Sequence, residues 1–293
     1  MKVLVTGSSG LLGGGVVSTL RGVGHEVLPL TRGRGEFQWN PPLSGPSASV
    51  LKGVEAVVHL AGENIGARRW THTQKQELRE SRVKGTALLC HSLAAMETPP
   101  RIFVSASAVG IYGDRGEEIL HEESAHGSGF LAELADDWEK ATESVSKAGV
   151  RVVHLRFGMV LDGRGGALAK MRLPFRCFVG GRMGSGRQWW SWVTLHDAAK
   201  AVLFVLREKS LSGAVNVTAN ADTNEQFTKT LGGALRRPTI FPLPAFVARI
   251  VLGEMADGLL LASTRVESRK LRDAGFKFKH ARLEPALRDL LGG

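Results

Sequence analysis

Eight residues near the start of the chain, Thr6-Gly7-Ser8-Ser9-Gly10-Leu11-Leu12-Gly13, carry the first readable chemistry. They follow the β-branched run Lys2-Val3-Leu4-Val5. Gly7 permits a tight turn, Gly10 lets backbone approach a pyrophosphate, and Gly13 lets a helix pack closely on a sheet. A helix from Leu11 to about Arg21 then aims its first N–H groups at phosphate oxygens. Ser8, Ser9, Leu11 and Leu12 complete that cradle. The spacing is Gly-x-x-Gly-x-x-Gly rather than Gly-x-Gly-x-x-Gly, a variant of the dinucleotide fingerprint. A merely glycine-rich turn is the alternative, and the position after a strand and before an amphipathic helix argues against it.

The next signal is a missing carboxylate. In dinucleotide-binding domains an Asp or Glu near the end of the second strand holds the adenosine ribose hydroxyls. Here that strand ends Leu28-Pro29-Leu30-Thr31-Arg32. The Arg32 guanidinium is suited to fork onto a 2′-phosphate and the Thr31 hydroxyl to bond the same group, which favours NADP(H) over NAD(H). A solvated surface arginine is the bland alternative. At the end of the third strand, Leu60-Ala61-Gly62 offers small residues against which adenine or ribose can lie.

These groups need a scaffold, and the first half of the chain alternates strands with helices. Strands are expected at Glu26–Leu30, Ala56–Leu60, Arg101–Ser105 and Val150–Leu155, with helices near Gln74–Met96 and Phe130–Ala148. Nearly unbroken apolar strands in a βαβ rhythm predict a parallel sheet covered on both faces. Residues 162–192, rich in Gly and Arg and holding Trp189, Trp190 and Trp192, read as loops over a cleft. A helix at His196–Arg207 and a strand at Ala214–Thr218 follow, then helices at 224–236, 244–253, 263–274 and 283–291. The expected fold is therefore α/β. A doubly wound parallel sheet of the NAD(P)-binding Rossmann type takes residues 1–220, and a small, mainly helical C-terminal domain takes 221–293.

Further segments extend the pattern: Ser105-Ala106-Ser107 with Ile111-Tyr112-Gly113, Arg82-Val83-Lys84-Gly85-Thr86, and Trp192-Val193 to Leu195-His196-Asp197. With the opening motif they resemble the extended short-chain dehydrogenase/reductase superfamily. Ala61-Gly62-Glu63-Asn64-Ile65, Arg68-Arg69-Trp70, Leu173-Pro174-Phe175 and Ser185-Gly186-Arg187-Gln188 are similar to one atypical branch, the epimerase-family proteins of short-chain dehydrogenase/reductase family 39U. So is the tail from Leu243-Pro244-Ala245 through Leu252-Gly253-Glu254-Met255 to Ala274-Gly275-Phe276. The resemblance covers nearly the whole chain. It implies an NADP-binding Rossmann fold with a C-terminal domain of unassigned function, and it puts Ser105 among the cofactor contacts. It also implies that Glu77 and Arg82 face the NADP, although a Glu–Arg pair one turn apart is a common surface ion pair as well. Arg156, at the carboxyl edge of the fifth strand, can reach the nicotinamide half or the pyrophosphate. Its alternative is a buried arginine paired to a carboxylate.

The superfamily's catalytic pattern breaks here. It uses a Tyr-x-x-x-Lys pair on the helix after the serine, with tyrosine as acid/base and lysine lowering its pKa. The chain has a single tyrosine, Tyr112, and Gly116 stands four residues on. If Glu139 matches the glutamate that usually follows the pair, the pair positions hold Leu131 and Ala135, which transfer no proton. The remaining catalytic candidates are Ser107 and Tyr112, with Asp114 close in sequence and Glu139 on the facing helix. A tyrosine with no cation beside it is a poor base at neutral pH, and anchoring a loop is the equal alternative for Tyr112. Arg68, Arg69, Trp70, Arg187 and the tryptophan cluster are weaker candidates for substrate contact, since tryptophans at this density are more often core.

Composition bounds the partners. A net charge of +10 raises nucleic acid, but the basic residues are spread along the chain and no nucleic-acid module is recognisable. Cys90 and Cys177 lack metal-type spacing and suggest a reducing compartment, so no metal site and a cytoplasmic location are expected. The apolar stretch Phe246 to Ala262 is broken by Arg249, Glu254 and Asp257 and reads as a core helix, not a membrane span. The expected partners are a small-molecule substrate and a second copy in a homodimer, with no membrane. The functional expectation is an NADP(H)-dependent oxidoreductase or epimerase. A non-catalytic NADPH-binding sensor or scaffold opposes it, and a basic nucleic-acid binder is a distant third.

Overall fold

The computed structural model describes residues 1–32, 37–41 and 43–292. In chain order the strands are β1 (Lys2–Thr6), β2 (Glu26–Thr31), β3 (Phe37–Gln38), β4 (Ala56–His59), β5 (Ile102–Ala108), β6 (Ile119–Leu120), β7 (Arg151–Phe157), β8 (Met159–Asp162), β9 (Trp189–Thr194), β10 (Gly213–Val217), β11 (Asn220–Thr223) and β12 (Arg265–Val266). The helices are α1 (Leu11–Arg21), α2 (Ala48–Leu51), α3 (His72–Arg79), α4 (Gly85–Ala94), α5 (Phe130–Lys140), α6 (Glu143–Lys147), α7 (Gly166–Arg176), α8 (Leu195–Arg207), α9 (Asn224–Leu235), α10 (Ala245–Leu252), α11 (Glu254–Ala256), α12 (Arg269–Asp273) and α13 (Leu283–Leu291).

The chain divides into two compact units. The first comprises 1–108, 134–156 and 199–215; the second comprises 109–133, 157–198 and 216–293. The second unit thus draws on the 109–133 and 157–198 segments as well as on the tail beyond residue 220.

The first unit is built on the seven-stranded sheet β10-β7-β5-β4-β1-β2-β3. Parallel registers join β4 to β5, β1 to β4 and β1 to β2. Val3, Leu4, Val5 and Thr6 are all fully buried, which a strand covered on both faces requires. Leu4, Leu30, Val57 and Phe103 form one core with Leu89, Cys90 and Leu93 of α4. Burial pushes the Cys90 thiol up to about 12, so it is core hydrophobe, not nucleophile. Sheet order reverses at β1, between β4 and β2, the switch point where ligands of open α/β sheets bind.

The second unit carries the sheet β11-β9-β8 and the pair β12-β6. Here the sequence expectations need three corrections. Residues 162–192 are not all loop: α7 lies inside them and β9 begins there, because Trp-Trp-Ser-Trp-Val-Thr is an aromatic and β-branched run that pairs with β11 and β8. Residues 263–274 begin as β12, paired with β6, and turn helical only at Arg269. Phe246 to Ala262 is not a core helix. Of α10 only Ala248 is buried, and Phe246, Ile250 and Val251 stand in solvent. No helix among the described residues is long and apolar enough to cross a membrane.

Candidate functional site

The opening turn has the tight packing its glycines require. Gly7 adopts φ +66°, and a Cβ there would lie 2.6 Å from the Leu60 carbonyl oxygen. At Gly13 a Cβ would lie 2.0 Å from the Gly7 oxygen, so α1 rests directly on the turn. Gly10 differs: a Cβ there meets only the Gly7 oxygen, at 3.3 Å. Its amide donates to that same oxygen at 3.0 Å. Ser9 and Gly10 are exposed, while Ser8, Leu11 and Leu12 are half-buried. Helix α1 has no acidic residue in its first turn and no side-chain cap. Its positive end thus faces an open surface, which fits an anionic group such as a pyrophosphate.

At the end of β2, the Thr31 hydroxyl is buried and has no hydrogen-bond partner among the described residues. Such an orphan is uncommon and fits a group that arrives with a ligand. Arg32 beside it is exposed, with Nη1 3.7 Å from a Glu63 carboxylate oxygen. That carboxylate comes from the loop after β4, and the Glu63 amide is tied to the Ser81 hydroxyl at 3.1 Å.

A polar pin holds the ends of β1 and β4 together. The Thr6 hydroxyl oxygen accepts from the amides of Leu60 and Ala61, each at 3.2 Å. Its own proton therefore goes to His59 Nδ1, 2.8 Å away. That leaves the His59 proton on Nε2, donated to the Thr86 hydroxyl at 2.8 Å, which also accepts from Trp138 Nε1 at 2.9 Å. Burial lowers the His59 pKa to about 3, so the ring is neutral.

Arg82 sits in a π-helical turn, Glu80–Lys84, between α3 and α4. Its guanidinium donates to the Glu63 and Leu78 carbonyls at 2.9 and 3.3 Å and lies 5.1 Å over the Trp138 ring. A Cβ on Gly62 would come within 3.1 Å of it. Burial lowers the Arg82 pKa to about 10, against the opposing pull of Glu63. Glu77 is exposed and lines a small cavity of about 280 Å³ with Arg68 and Arg69. Trp70 is buried, with its indole N–H on the Ile65 carbonyl.

The carboxyl ends of β5 and β7 converge on Glu139 of α5. Ser107 donates to Glu139 Oε1 at 2.7 Å. Arg156 forks onto both carboxylate oxygens at 2.8 Å with its side chain 4% exposed. Burial pushes the Glu139 carboxyl up, but the bond and charge of Arg156, with His154 and the Ser107 hydroxyl, outweigh it and hold it below its usual value. His154 Nδ1 lies 3.9 Å from Glu139 Oε2, and burial lowers its pKa. Its other nitrogen contacts the Thr142 hydroxyl at 2.9 Å. Glu139, Thr142 and His154 line a cavity of about 480 Å³. Ser105 is buried, its hydroxyl on the Ala106 carbonyl at 3.2 Å.

Tyr112 belongs to the second unit. It is fully buried and donates to Asn216 Oδ1 at 2.7 Å, while the Asn216 amide nitrogen holds the Glu267 carbonyl. Asp114 accepts from the Gly116 and Ser263 amides, a loop-fixing role.

Comparison with known proteins follows this geometry. Residues 3–132 match the NAD dependent epimerase/dehydratase family, and residues 243–290 match a domain of unknown function, DUF1731. The epimerase family protein ML0860 of Mycobacterium leprae is 42% identical over 290 residues, covering 97% of this chain and 94% of that one. The chain belongs to the epimerase family. The crystal structure of human epimerase family protein SDR39U1 (isoform2) with NADPH superposes with a TM-score of 0.91 at 32% identity, over all of both chains. A nucleoside-diphosphate sugar epimerase from Corynebacterium glutamicum superposes at 0.83 and 35% identity, over all of this chain and 58% of that one. The fold is thus the NAD(P)-binding Rossmann-like one of the short-chain dehydrogenase/reductase proteins.

Within this family member, some site groups escaped the sequence reading. The Glu63 carboxylate beside Arg32 is distant in sequence, and the two meet only because β2 and β4 both pair with β1. Thr6 and His59 read as polar ends of two apolar strands and Thr86 as part of the long helix; their neutral network needs the burial to be seen. The His154 contact with Glu139 was available only as alternation along β7, which is no signal by itself.

Proposed function

We propose that this epimerase-family chain is an NADP(H)-dependent oxidoreductase or epimerase acting on a small hydroxyl- or carbonyl-bearing molecule. The observation that carries the cofactor choice is the end of β2, where an orphaned Thr31 hydroxyl and exposed Arg32 stand in place of the usual ribose-binding carboxylate. The NADPH named for the human relative supports the same choice. In this reading the 7–13 turn holds the pyrophosphate, and Leu60, Ala61 and Gly62 flank the adenosine half. When bound, the nicotinamide supplies hydride transfer.

Ser107 is the residue proposed to handle the proton. Its own proton is directed at an ionised carboxylate, so its oxygen presents lone pairs to a substrate hydroxyl. A proton leaving that hydroxyl can pass to Ser107 as the serine proton moves to Glu139. Arg156 acts on Glu139 rather than on the cofactor, fixing the carboxylate that orients the serine. Tyr112, with its hydroxyl committed in a buried network, is given a structural role.

The test is titration of the purified chain with NADPH and NADH, followed by a panel of sugars, ketones and alcohols. Tight NADPH binding with turnover lost in Ser107→Ala is the expected result. Failure to bind either dinucleotide would sink the reading. One observation favours the sensor alternative: the single tyrosine, Tyr112, is followed four residues on by Gly116, so the sequence contains no Tyr-x-x-x-Lys pair. Bound NADPH that no substrate in the panel oxidises would favour it.

A further inference from the structure

Two segments of the second unit contain no acid. Residues 163–187 and 236–251 hold nine arginines or lysines and not one Asp or Glu, in a chain that otherwise mixes the two signs. The segments run side by side. Bridges pair Gly181 with Ile240 and Met183 with Leu243. Leu243 and Arg182 share a 2.8 Å backbone bond, and the Arg237 guanidinium lies 4.7 Å over the Phe178 ring.

The same segments hold eight of the twelve large hydrophobic side chains that are exposed among the described residues. Phe246, Ile250 and Val251 of α10 show 64%, 70% and 58% of their surface, and Ile240 shows 71%. Phe178, 53% exposed, is held at φ +61°, a left-handed conformation that is a genuine outlier for a bulky residue. Monomeric soluble proteins seldom expose apolar groups in such a concentration, and a patch of this kind marks an interaction surface.

The chemistry selects the occupant. A small-molecule pocket buries its apolar walls, whereas these side chains project. Asp257 pairs with Arg249 and Glu225 lies beside Arg182, but the face keeps an excess of cations, so a second copy would set like charge against like charge. Nucleic acid would pair with the cations but offers no apolar phase for Phe246 or Ile250. Projecting apolar side chains among cations match an anionic bilayer, with its apolar boundary beneath a negative surface. We propose that this face docks the protein on the surface of an anionic phospholipid membrane. Phe178, Phe246 and Ile250 enter the headgroup boundary, and Arg176 and Arg236 lie against phosphates. Neither arginine forms an ion pair among the described residues, whereas Arg164 and Arg249 are tied to Asp162 and Asp257.

The test is co-flotation of the full chain with vesicles. Binding is expected to vesicles of equal parts phosphatidylcholine and phosphatidylglycerol, to weaken with salt, and to be absent with phosphatidylcholine alone. Each of Arg176→Gln and Arg236→Gln should lower the partition roughly fivefold. Phe246→Ser with Ile250→Ser should lower it by about tenfold or more. Circular dichroism and thermal midpoints should stay near the parent's, because these side chains lie on the surface. Equal binding to neutral vesicles, or none to either, overturns the proposal. So does a dimer in light scattering that Ile250→Ser dissolves, which makes the face a contact between copies. Binding that responds to the arginine variants and to competing duplex DNA, but not to the apolar ones, overturns it in favour of a polyanion.

Discussion

Arg32→Ala is the substitution that weighs most on the cofactor assignment. Arg32 is two-thirds exposed and 3.7 Å from Glu63, so the parent pair contributes about 1 kcal/mol or less in a water-like dielectric. Little folding stability is at stake. Charge-assisted bonds from the guanidinium to a 2′-phosphate are worth about 1.5–3 kcal/mol, so NADPH affinity should fall roughly ten- to a hundredfold. NADH has no such phosphate, and its affinity should stay where it was. The variant also leaves Glu63 facing the phosphate without its cation. Adding Glu63→Gln to Arg32→Ala should therefore recover about 1 kcal/mol, roughly fivefold. Dissociation constants for both dinucleotides, read from nicotinamide fluorescence at fixed ionic strength, check all three statements. Equal loss for NADPH and NADH, or no recovery in the double variant, would refute the reasoning that places the phosphate at the end of β2.

Gly10→Val should abolish binding of either dinucleotide while circular dichroism stays unchanged, since a Cβ at Gly10 meets only one protein oxygen, at 3.3 Å; undiminished binding would put the ligand elsewhere. The His59 pKa is lowered from 6.5 to about 3, so the unfolded chain takes up a proton there that the folded chain refuses. Its contribution is complete above pH 6.5 and is lost as pH falls towards 3, reaching about 2 kcal/mol of lost stability near pH 5. Urea unfolding at pH 7 and pH 5 should give a smaller difference in His59→Gln; an unchanged difference disproves the assignment. Ser107→Ala should cut turnover of a discovered substrate by about a hundred- to ten-thousandfold with NADPH affinity unmoved. Tyr112→Phe should keep turnover and cost about 1–3 kcal/mol of stability by leaving Asn216 unsatisfied, and a collapse of turnover there would restore the tyrosine as the acid.

Six of the seven strands of the large sheet were legible because each is a short apolar run closed by Gly, Pro or a polar residue, and burial on both faces demands that pattern; the two-residue β3 carries no such run and was missed. Glycines 7 and 13 were legible for a similar reason: a Cβ at either position collides with backbone. What escaped was set by packing at a distance. Trp189–Thr194 hid behind glycines and arginines, and only the presence of β8 and β11 makes it a strand. Apolar content alone made α10 look like core, yet a helix is core only if something covers it. Arg156 was correctly placed at a strand end, but its choice between cofactor and carboxylate depends on Glu139, which arrives from another helix.

The wide turn at Glu80–Lys84 also bears on how sequences of this family should be aligned. A π-turn holds one residue more than the α-turn it replaces, so everything after it is rotated by about 100° relative to an uninterrupted helix. Relatives lacking that residue would carry Thr86 and Leu89 on the same sheet-facing side only if the gap falls inside 80–84. An aligner that puts the gap in a neighbouring loop would match Arg82 with a residue on the wrong face. Comparisons of this position across the superfamily are therefore comparisons of helix phase before they are comparisons of side chains.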